Sequence, residues 1–92
     1  MPVPTIDPAL RQALEKRGWF LRAERNGHLG EFVYLYVDES RGGHPIGYAQ
    51  ERGGYWQTWA LVRPHAMFGN DEIGLYPSID AALRAILGHA LF

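Results

Sequence analysis

His28, His44, His65 and His89 are the residues of this chain best suited to metal or proton chemistry. No two of them stand four apart, as the paired ligands of a zinc-binding helix do. The chain has no cysteine, which removes thiolate ligands, thiolate catalysis and disulfides together. Asp38, Glu39 and His44 flank one stretch and have the donor types of a metal site, but an ordinary solvated hairpin loop is much the better account of them. Asn70-Asp71-Glu72 reads as an exposed acidic loop, without the alternating ligands of a calcium loop. Nucleophilic catalysis has Ser40 and Ser78 to draw on, with Thr5 and Thr58. Ser40 has Asp38 and His44 near it in sequence but no nucleophile-elbow pattern around it, and Ser78 is explained as a helix cap. Gly42-Gly43 and Gly53-Gly54 precede no helix, so neither is a phosphate loop. These residues predict no catalytic site, no metal and no cofactor. The 64–72 segment is where a small enzyme or ligand carrier would keep a site.

A different chemistry is written in Phe32-Val33-Tyr34-Leu35-Tyr36-Val37. Six apolar or amphipathic residues without a polar break predict a strand wanted on both faces. Side chains alternate along a strand, so Val33, Leu35 and Val37 share one face and Phe32, Tyr34 and Tyr36 the other. The aliphatic face suits a core. The aromatic face, with its two hydroxyls, suits a surface that touches something.

The elements that position this strand follow from local signals. Residues 1–6 read as an extended tail stiffened by Pro2 and Pro4, ahead of a single domain over 7–92. Asp7-Pro8 opens a helix to about Arg17, with Gly18 as its stop and Leu10, Ala13 and Leu14 as its apolar stripe. Strands are expected over 19–25, 29–38, 46–51 and 55–63, with turns at Asn26-Gly27 and Arg52-Gly53-Gly54. A short fifth strand over 73–76 precedes a helix from Ile79 to about Leu87, capped by Ser78 and stopped by Gly88. The order α-β-β-β-β-(β)-α with short turns predicts an α+β domain. Its sheet is an antiparallel meander of four or five strands, with both helices packed on one face.

That arrangement leaves the other face open. Phe20, Arg22, Phe32, Tyr34, Tyr36, Tyr48 and Trp56 are the residues expected on it, with Trp59 and Leu61 pointing inward. Aromatics with arginine make the anchors of protein interfaces and also stacking platforms for single-stranded nucleic acid. The formal net charge of −1 favours the protein partner, because nucleic-acid surfaces carry a basic excess to neutralise phosphates. A nucleic-acid site here would add Arg25, Arg52 and Arg63 to Arg22. The end of the chain, with a Trp-bearing strand, Gly74-Leu75-Tyr76-Pro77-Ser78 and then Asp80-Ala81-Ala82-Leu83, faintly resembles strand-strand-strand-helix DNA-binding modules of the integrase-arm type. That resemblance implies groove reading by basic strand residues. Here the corresponding strands and their turn supply only Arg63 and Arg52.

The sequence thus predicts a non-enzymatic protein-binding module, of the kind found among phage and plasmid accessory proteins that inhibit a larger complex by covering a surface. Its partner is another protein or a second copy of itself, met through the sheet face. The Met1-Pro2-Val3-Pro4 start carries no basic and apolar leader pattern and no stretch is long enough to span a bilayer, so a cytoplasmic protein is expected.

Overall fold

Asp7 lies between the buried Ile6 and the first helix, which it caps. In a computed structural model, which describes residues 4–36, 45–60 and 71–89, helix α1 spans Pro8–Lys16. The Asp7 carboxylate accepts from the Ala9 N–H at 2.9 Å, satisfying one of the free donors at the helix start. Gly18 takes φ +73° just past the last turn, a left-handed conformation that costs glycine little. Ile6, at the end of the expected tail, is buried with Leu10 and Leu14 of α1.

Five strands follow, β1 Phe20–Asn26, β2 Gly30–Tyr36, β3 Gly47–Arg52, β4 Tyr55–Ala60 and β5 Asp71–Tyr76, and then helix α2, Ile79–His89. They form one antiparallel sheet in the order β1-β2-β3-β4-β5. The chain is therefore an α+β domain with a five-stranded meander and both helices on one face. The fifth strand is a full member of the sheet and starts at Asp71, so Asp71 and Glu72 belong to a strand and not to an acidic loop. α2 runs through Gly88 instead of stopping there. Ser78 Oγ caps it by accepting from the Ala81 N–H at 3.1 Å.

Two turns set the register. The Asn26-Gly27 signal gives a three-residue loop, since Asn26 pairs with Gly30 and the left-handed residue is Gly30, φ +85°, not Gly27. Between β3 and β4 the loop is two residues, with Gly53 at φ +58° and Gly54 at φ +91°, and Arg52 pairs with Tyr55. Positive φ at both loop positions is the geometry whose twist matches antiparallel strands.

The core lies between the helices and one sheet face. Val33 and Leu35 of β2 are fully buried there, as the alternation predicts, with Ala49 and Ala60 and with Ala82, Leu83 and Ile86 of α2. The residues under α2 are small because the helix sits close. A Cβ on Gly47 would fall 2.5 Å from Ile86 Cγ2 and 2.8 Å from the Trp59 carbonyl oxygen. Thr58, also fully buried, satisfies its hydroxyl by donating to the Trp56 carbonyl at 3.0 Å. The two helix starts are tied together: the Asp7 N–H donates to Asp80 Oδ1 at 2.9 Å, and Arg84 pairs with Asp7 Oδ2 at 3.1 Å.

Candidate functional site

Parity and register together decide what stands on the face away from the helices. Ala23, Val33, Leu35, Ala49, Thr58 and Ala60 point into the core, so the residues one step along each strand point out. Following the paired positions across the sheet gives a row of Arg22, Tyr34, Tyr48, Trp59 and Glu72, one residue from every strand. Glu24, Phe32, Gln50, Gln57 and Leu75 form the row beside it, again one from each strand. Phe20 and Tyr36 pair above the first row on β1 and β2.

The rings of these rows form one connected layer. Phe20 stacks on Tyr36 at 5.2 Å between centroids, and Tyr36 is followed by Tyr34 at 6.4 Å. Tyr34 meets Phe32 at 6.0 Å and Tyr48 at 5.5 Å, and Tyr48 stacks on Trp59 at 4.7 Å and 15°. Cross-strand aromatic pairs of this kind hold neighbouring strands in register while keeping one ring face toward the outside. The Arg22 guanidinium lies 5.6 Å from the centre of the Tyr36 ring. At the other side of the layer Arg52 donates to Gln57 Oε1 at 3.0 Å, and Gln57 Nε2 donates to Glu72. Gln50 is buried among the rings and donates to the Leu29 carbonyl at 2.6 Å. The six rings are each half-buried, and the layer continues into the exposed side chains of Tyr55 and Leu75. Burial in this layer pushes the phenols of Tyr34 and Tyr48 above the ordinary tyrosine range. At Tyr34 the Glu24 carboxylate and the neighbouring tyrosines add to the rise.

Of the expected face residues, Phe20, Arg22, Phe32, Tyr34, Tyr36 and Tyr48 stand together on it. Trp56 does not. It pairs with Glu51 on the helix side and packs against the core, while Trp59 takes the outward place expected for Trp56. The cause is the two-residue Gly53-Gly54 loop: pairing Arg52 with Tyr55 puts Tyr48 opposite Trp59, so placing Tyr48 and Trp56 on one face breaks the register. Leu61 and Val37 lie outside the described residues.

The four arginines of a nucleic-acid site are not brought together. Arg22 and Arg52 are on the open face, but Arg25 pairs with Glu31 on the helix side, and Arg63 lies outside the described residues. Among the described residues no group of three histidine, aspartate or glutamate side chains is placed to hold a metal. His28 is exposed in the β1–β2 loop and His89 ends α2, whereas Asp38, Glu39, Ser40, His44 and His65 lie outside the described residues. A hollow of about 240 Å³ lies between α1 and the start of β1, lined by Ile6, Leu14, Trp19, Phe20 and Leu21 with the exposed Arg11 and Glu15. It is smaller than the roughly 300–1,000 Å³ usual for ligand sites.

Comparison with known proteins finds no matching family model, no matching curated protein and no matching solved structure. The functional reading therefore rests on the face itself.

Proposed function

We propose that this domain is a protein-binding module that acts through the aromatic face of its sheet, as a binder and not a catalyst. The observation that carries this is the ring layer of Phe20, Tyr36, Tyr34, Phe32, Tyr48 and Trp59, set on the side that neither helix covers. A soluble monomer gains little by gathering six half-buried rings on one side, whereas aromatics packed beside an arginine are what interface hot spots are made of. The rings are also pre-ordered by stacking on each other, so little side-chain entropy is left to lose on binding. Charge on the face is balanced, with Arg22 and Arg52 against Glu24 and Glu72, which suits a protein surface better than a phosphate backbone.

The test is capture by immobilised protein, comparing the wild type with Tyr34→Ala and Trp59→Ala, each first shown to be folded by circular dichroism. Proteins held by the wild type are expected to be lost with both variants. They should be kept by Arg17→Ala, which changes a side chain stacked on Trp19 away from the face. Capture indifferent to Tyr34 and Trp59 would remove the aromatic face from the function.

A further inference from the structure

The two ends of the central row carry opposite charges, and their placement points to a particular occupant. Arg22 stands on β1 and Glu72 on β5, at opposite edges of the sheet, with Tyr34, Tyr48 and Trp59 between them. Both charged side chains are exposed. Four inter-strand steps of about 4.8 Å separate them by roughly 19 Å, too far for the two to pair within one chain.

We propose that the face is covered by a second copy of this chain, in a two-fold dimer whose axis runs parallel to the strands through β3. This rests on the protein-binding reading above and names the partner. A two-fold face-to-face contact is self-complementary only if each group meets its complement after rotation. Turning one copy over about the strand direction lays β1 of each chain against β5 of the other. Arg22 then meets Glu72 of the second copy, and the same pair forms again by symmetry. Tyr34 meets Trp59 of the second copy, and Tyr48 meets itself near the axis. An axis across the strands on this row would set Arg22 on Arg22 and Glu72 on Glu72, and one between the two rows would pair Arg22 with Glu24 but lay Glu72 on Leu75, so the first arrangement is the one that pairs both charged ends of the central row. Two sheets stacked in this way take the near-aligned packing of β-sandwiches.

Size sets the strength. Five strands and six residues per strand make a face of about 24 by 20 Å, and two such faces bury roughly 1,000 Å² together. That is the lower limit of specific interfaces, so the dimer is expected to be concentration-dependent. Two groups oppose it, and the first is Glu24, which the axis lays on Leu75 of the second copy. The same axis brings the two Arg52 side chains toward each other at the lower rim, where each is exposed and held by its own Gln57.

Sedimentation equilibrium of the pure chain from low micromolar to near-millimolar concentration tests the proposal. The weight-average mass is expected to rise from 10.4 kDa toward twice that value. Arg22→Glu alone and Glu72→Arg alone should each weaken association by about tenfold or more, since each change puts like charges together at both symmetric positions. The double reversal should restore it. Because the two residues are too far apart to pair in one chain, recovery can come only from contact between chains. Arg52→Gln should tighten the dimer. A mass that stays at 10.4 kDa throughout overturns the proposal, whether another protein or a nucleic acid covers the face. Dimerisation that ignores the single reversals, or that the double reversal fails to restore, overturns it as well. A monomer whose captured proteins still depend on Tyr34 and Trp59 removes only the second copy as partner. A monomer without that dependence removes the protein-binding reading too.

Discussion

At Gly47 the sheet and α2 come too close for any side chain. The position has no positive φ, so the demand is one of space: Ile86 and the Trp59 carbonyl would sit 2.5 and 2.8 Å from an added Cβ. Gly47→Ala is expected to destabilise by at least about 1–3 kcal/mol, the usual cost of overpacking a core, seen as a lower urea midpoint. Shortening Ile86 would not rescue it, because the second obstacle is backbone. The tyrosines give a residue-scale prediction of a different kind. Tyr34 and Tyr48 hold their protons more tightly in the fold than in the unfolded chain, where tyrosine titrates near about 10. Between the unfolded and the raised folded value the native state therefore binds more protons than the unfolded one, and stability falls as pH rises. Below the unfolded value the two states bind alike and this contribution is level. Urea unfolding followed from neutral to strongly alkaline pH should show the fall, and Tyr34→Phe with Tyr48→Phe should flatten it. An alkaline fall unchanged in the double variant would mean that these phenols are no more buried than free tyrosine.

The β3–β4 hairpin is the element on which the site depends, because its loop chooses which tryptophan faces out. Gly53 and Gly54 both need positive φ in open space, so conformation and not crowding limits substitution there. Gly53→Asn is expected to leave stability unchanged or slightly raised, since asparagine tolerates the left-handed region and the Asn-Gly pair favours this turn. Gly54→Val should cost about 1–2 kcal/mol or more, the penalty of a β-branched residue held at positive φ. Equal effects of the two changes would mean that the loop is not a two-residue turn. Much of this level was legible in the sequence. Asp7 and Ser78 announced both helix starts through their cap chemistry, and the split of Val33 and Leu35 from Tyr34 and Tyr36 fixed the two faces of β2. The tryptophans of β4 were not legible by composition. Trp56 and Trp59 lie three apart, so they must face opposite ways, and the strand offers an aromatic to each side. Only counting pairs outward from the two-residue loop decides between them. Expecting Trp59 and Leu61 inward also put Thr58 and Ala60 outward by alternation, whereas both are fully buried, small residues where α2 comes close to the sheet. The irregularity in β4–β5 pairing between Thr58 and Trp59 left no sequence signal beyond Gly74, whose φ is +147°.

Across the whole molecule the charges are spread so that the aromatic face is neutral inside a nearly neutral chain. Net charge is −1, and the two arginines of the face share its rows and rim with two glutamates. A nucleic-acid strand stacked on Tyr34, Tyr48 and Trp59 would run its phosphates past Glu24 or Glu72 at one edge or the other. Stacking alone is worth about 1–3 kcal/mol per base, and without a basic groove it does not make a tight site. Mixed-sequence single- and double-stranded DNA and RNA should therefore bind no tighter than the nonspecific range of about 10⁻⁴–10⁻⁶ M at physiological salt. The balance can be tilted on purpose. Glu24→Gln with Glu72→Gln removes two anions without removing a ring, and should strengthen whatever weak binding exists while making it more salt-dependent. The measurement is a fluorescence-anisotropy titration at low and physiological salt, on the wild type, this double variant, and Arg22→Ala with Arg52→Ala. Submicromolar binding by the wild type that falls steeply with salt and disappears with the arginines would make the face a nucleic-acid platform. Binding confined to the weak range, and raised by loss of the glutamates, is what a surface built for protein requires.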